Sequence, residues 1–257
     1  MTEHRTDTDL GHDRPLALPP PGADLRSSLV FAWRWLLLGG AAGGVSGLLI
    51  GGVGGRLAMF ALRLTSPHSV RGIKSDDGFT IGEFSLQTVF LLGFAAAIGL
   101  LVGVACLALR SQLPGRVGAA MIVLAGGTLG AATIIKPDGV DFTRLAPLPL
   151  ACALFTAIPL AGAALTVCLI GRWQHWWWRN RRRTAIACAP WILAVPPFFI
   201  SAPVTLVTLG VVAGALHIPF ARAVLTDRIG RAAATVLTAT IIVLASIALV
   251  GDLAEIL

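Results

Sequence analysis

Five carboxylates are grouped in two short segments: Asp76, Asp77 and Glu83 in the first, Asp138 and Asp141 in the second. Brought together, such oxygens can hold Mg2+ or Ca2+, or a cationic substrate. Arg56 and Arg63 lie seven residues apart, so a continuous helix would carry both on one side, where guanidinium groups can clamp a lipid phosphate or an anionic substrate. The plainer readings weigh more. Asp77-Gly78 and Asp138-Gly139 are ordinary turn dipeptides, loop charges usually solvate or pair locally, and interfacial arginines snorkel. No catalytic residue is assigned and no cofactor is expected, a divalent cation at the aspartates being the one candidate.

Whatever these residues do, the elements that position them lie in a membrane. The chain has 257 residues, 56% of them hydrophobic and 13% charged, with a mean hydropathy of +0.81. That excludes a soluble enzyme, a disordered tail and a disulfide-stapled secreted scaffold. The net charge of +7 suggests nucleic acid until the arginines are placed beside apolar runs, where they orient spans in a bilayer. Nucleic acid is therefore not an expected partner.

A helix needs about 20 apolar residues to cross a hydrocarbon core. Six stretches meet that length, at about 35–55, 84–109, 117–135, 146–171, 185–216 and 232–251. The expected fold is an all-α membrane protein of about six transmembrane helices. Residues 1–26 read as a disordered cytoplasmic tail and 27–257 as the polytopic domain. Placing the N-terminus inside puts eleven of the twenty basic residues on the cytoplasmic face, and the segments holding the five carboxylates outside. Residues 184–221 carry Pro190, Pro196, Pro197 and Pro203. One kinked span there gives six helices and an inside C-terminus. A split into two gives seven and moves Arg222, Arg228 and Arg231 inside. Six is favoured, because no polar turn divides the stretch.

At an offset of 62, Ile73, Lys74 and Asp76 pair with Ile135, Lys136 and Asp138, and the register continues to Cys106 with Cys168 and Arg110 with Arg172. Helices 1–4 then form two parallel-repeat hairpins, with an appended helix pair. Gly39, Gly43, Gly47, Gly51 and Gly55 recur every fourth residue and predict a close helix-packing face, with Gly99, Gly103, Gly126 and Gly130 as matching grooves. The stretch Arg172–Arg183 holds four tryptophans and five arginines, as an anchor on anionic lipid would. Cys106, Cys152, Cys168 and Cys188 lie within apolar runs and predict no disulfide.

With IKSDDGF at 73–79 and KPDGVDFTRLAP at 136–147 in view, the chain resembles uncharacterised bacterial multi-pass membrane proteins with DDGF-like and DGVDF-like outer loops. The likeness covers about residues 29–172 and implies no activity. The expected setting is the bacterial cytoplasmic membrane. The expected role is non-enzymatic, a membrane assembly subunit or a small carrier, as a homo-oligomer or with a membrane-protein partner. The alternative is an outward-facing membrane enzyme acting on a lipid-linked or phosphate-bearing substrate through the loop aspartates and a divalent metal.

Overall fold

The computed structural model describes residues 24–67, 86–139, 142, 146–174 and 228–257, which are helical apart from short turns and ends. Apolar chain in lipid must pair its own N–H and C=O groups, and a helix does this within one segment. The first helix runs without interruption over 41 residues, as α1 (Leu25–Ser46), a π-helix (Gly47–Gly54) and α2 (Gly55–Thr65). At 1.5 Å per residue it is roughly 60 Å long, more than a bilayer core needs. It is followed by α3 (Leu86–Gln112), α4 (Gly115–Ile134), α5 (Leu148–Gln174) and α6 (Arg228–Ile256). Counting the 41-residue element once, five helices among the described residues are long and apolar enough to cross a membrane.

The turn from α3 to α4 is two residues, Leu113 and Pro114. Arg110 Nη1 donates to Leu113 O at 2.8 Å, and Gly115 takes φ +80°, a left-handed value that favours glycine. The most extensive helix contacts join α1 to α3 and α4 to α5, so the centre of the molecule is two antiparallel hairpins. Their cores form two layers. At one end Leu37, Leu38, Leu107, Leu113, Ile122 and Ile170 pack together. At the other Leu62, Ala131, Ile135, Phe142, Cys152 and Phe155 do so.

These layers orient α6. Ala234, near its start, packs against the first cluster, and Ala245 and Leu249 belong to the second. Lys136 Nζ lies 3.4 Å from Asp252 Oδ2, which places the end of α6 beside the loop that follows α4. Seven of the nine described arginines, Arg26, Arg34, Arg110, Arg116, Arg172, Arg228 and Arg231, therefore share one end, and Lys136, Asp138, Asp252 and Glu255 the other, toward which Arg56 and Arg63 of α2 also lie. A six-span path would return the C-terminus to the side of the N-terminus. The helix α6 runs parallel to α1 and α4 and ends on the opposite side. The expected span at 185–216 and residues 1–23 of the expected tail at 1–26 lie outside the described residues, and Leu25 and Arg26, the last two of that tail, belong to α1.

Candidate functional site

Of the sequence-selected carboxylates, Asp138 is described. It sits exposed in a turn closed by Gly139 N–H donating to Lys136 O at 3.0 Å and Phe142 N–H to Gly139 O at 3.1 Å. Its neighbour in the loop, Lys136, is paired with Asp252. Asp76, Asp77, Glu83 and Asp141 lie outside the described residues, as do 175–183 of the tryptophan-arginine segment. Among the described residues, no three His, Cys, Asp or Glu side chains gather in a metal-binding group. Arg56 and Arg63 are both partly buried on α2, and each is engaged in an interaction of its own.

The glycines divide at the π-helix. A Cβ on Gly39 would stand 2.9 Å from Gly103 O, one on Gly43 would fall on the carbonyl oxygen of Gly99 and 2.6 Å from Gly103 Cα, and one on Gly47 2.9 Å from Gly99 Cα. Two helix backbones touch along this line. Beyond it the four-residue spacing no longer follows the neighbour, because a π-helix advances by i→i+5. Gly52 turns toward α3, where its Cβ would meet Leu92 Cδ2 at 2.7 Å. Gly51 faces more open space, and Gly55 has nothing within 4 Å. In the second hairpin Gly126, Gly127 and Gly130 lie against Ala163, Leu160 and Pro159 of α5.

Between the hairpins lies a crevice of about 410 Å³, walled by α1, the π-helix, α3, α4 and α5. Its polar groups are Ser46, Thr133 and Thr166, and each donates to a carbonyl. Ser46 Oγ reaches Gly162 O across the helix interface at 2.7 Å, Thr166 Oγ1 the same oxygen at 2.9 Å, and Thr133 Oγ1 Gly130 O at 2.8 Å. Pro159, also in the wall, has no N–H to give within α5. The crevice can therefore accommodate an apolar group far better than a polar one.

No family model, curated protein or solved structure matches this chain. The sequence reading concentrated on the loop acids and passed over Ser46 and Pro159. The signal was present in both: a serine one residue before a glycine of the packing face, and a proline inside an otherwise unbroken span.

The Ser46 bond supplies a direct measurement. Ser46 is 1% exposed and its bond joins α1 to α5. Hydrogen bonds between helices in a membrane contribute about 0.6 kcal/mol on average and up to about 1.7. Ser46→Ala is expected to lower Tm in detergent by about 2–4 °C, the shift for roughly 1 kcal/mol in a chain of this size. An unchanged Tm would remove the bond from the account of hairpin docking.

Proposed function

We propose that this chain is a non-enzymatic assembly subunit of a bacterial cytoplasmic membrane, with its N-terminus and arginine end inside. The observation that carries this reading is the hydrogen-bonding state of the crevice. A carrier of polar cargo needs polar groups offered to a path near the midplane. The hydroxyls of Ser46, Thr133 and Thr166 are spent on backbone carbonyls, and the two helices of the first hairpin, α1 and α3, meet backbone to backbone. Such a bundle is suited to act as a rigid body that presents surfaces. The helix α6 presents one, with Val236, Leu237, Leu244, Ile247 and Val250 all more than half exposed.

The arginine asymmetry supports the orientation. The direction of α6 supports an odd total of spans, in place of six. An internal duplication is supported by α3 and α5, both 27 residues long and offset by 62, each belonging to a glycine-sealed hairpin.

Extraction from intact membranes with a styrene-maleic acid copolymer, followed by mass measurement, tests the role. A complex containing this chain and further protein in fixed ratio is expected. A lone 26.7 kDa chain in the extracted particle would overturn the assembly reading.

A further inference from the structure

We propose that the gap between α3 and α4 binds one anionic phospholipid, its phosphate at the Arg110–Arg116 turn and one acyl chain in the crevice. Although the turn between them is only two residues, α3 and α4 touch little, while α1 and α5 close the back of the space. The α3 side of the crevice includes Phe94, Ile98 and Val102, which are 40–47% exposed, and the α4 side includes Ile134 at 43%. The cavity is therefore continuous with the hydrocarbon-facing surface. Its hydroxyls have no hydrogen left to offer, so the group that fills it is a hydrocarbon chain.

Charge selects the headgroup. Across residues 86–134 there are two ionisable arginines, Arg110 and Arg116, and no Asp or Glu. The bond from Arg110 to Leu113 O holds one guanidinium at the turn, and Arg116 is exposed at the first turn of α4. Guanidinium groups suit a phosphate, and basic residues at this surface attract anionic lipid. Length agrees as well. Gly126, in the crevice wall, lies ten residues along α4 from Arg116, about 15 Å at 1.5 Å per residue. That is about half the thickness of a bilayer core, the depth a lipid tail reaches from its own headgroup.

The test is native mass spectrometry of the full chain from nanodiscs containing phosphatidylglycerol and phosphatidylcholine. One phosphatidylglycerol is expected to remain bound. Arg116→Gln is expected to reduce its occupancy about five-fold. Ile98→Trp, which fills the mouth of the crevice, is expected to abolish retention. Ile247→Trp, an equal enlargement at a 65% exposed position of α6, is expected to leave it intact. Equal retention of both lipids, or retention indifferent to Ile98→Trp, would overturn the proposal. So would a photoreactive side chain at position 98 that couples to residues 184–221, or to a second copy of the chain, in place of lipid.

Discussion

Gly43→Leu is expected to lower the Tm of the purified protein by roughly 6–12 °C, the largest loss from any single glycine in the first helix. The added Cβ would fall on the carbonyl oxygen of Gly99 and 2.6 Å from Gly103 Cα. Those atoms belong to helix backbone, so relief requires the whole of α3 to move away. Separation would also loosen the contacts on either side, where Gly39 faces Gly103 and Gly47 faces Gly99. Overpacking a tight interface costs about 1–3 kcal/mol. The upper value, about 3 kcal/mol, corresponds to the stated shift at 2–4 °C per kcal/mol. Gly55→Ala belongs to the same four-residue series and has the opposite expectation, since nothing lies within 4 Å of the new Cβ. It replaces a poor helix former with the best and should stabilise by up to about 1 kcal/mol. A thermal melt of both variants decides the matter. Equal destabilisation would mean that the glycine face continues straight through the π-helix, against the geometry described above.

Single cysteines at Asp138 and Asp252 are expected to react with an impermeant maleimide from the outside of intact cells, and cysteines at Arg116 and Arg231 only after permeabilisation. The native cysteines are first replaced by alanine. The result is all or none, because a charged reagent does not cross the hydrocarbon. The ion pair from Lys136 to Asp252 and the packing of Leu249 with Ile135 put the end of α6 beside the loop after α4. Labelling of Asp252→Cys together with Arg116→Cys would reverse α6 and restore a path with an even number of spans. A uniform exchange of sides for all four positions would leave the bundle intact and overturn only the proposed cytoplasmic N-terminus.

Much of the architecture was legible in the residues. Hydrocarbon demands about 20 apolar residues per helix, and stretches of that length are visible without coordinates. The glycines at 39, 43 and 47 were readable as a close-packing face, because residues four apart stack on one side of an α-helix. The direction of α6 was not legible. Residues 184–221 can be written as one span or two, the absence of a polar turn favoured one, and the direction of every later helix depends on which is used.

The chain alone determined that its helices are long and apolar enough to cross a membrane, and where two helix backbones could touch. Tertiary structure decided which helix fills each glycine groove, where the packing register passes from every fourth residue to Gly52, and that a crevice opens between the hairpins. The reason is physical. Span length and local spacing are properties of consecutive residues, whereas the crevice wall joins Ser46, Ile98, Gly130 and Pro159 from four helices, and no local pattern encodes their meeting.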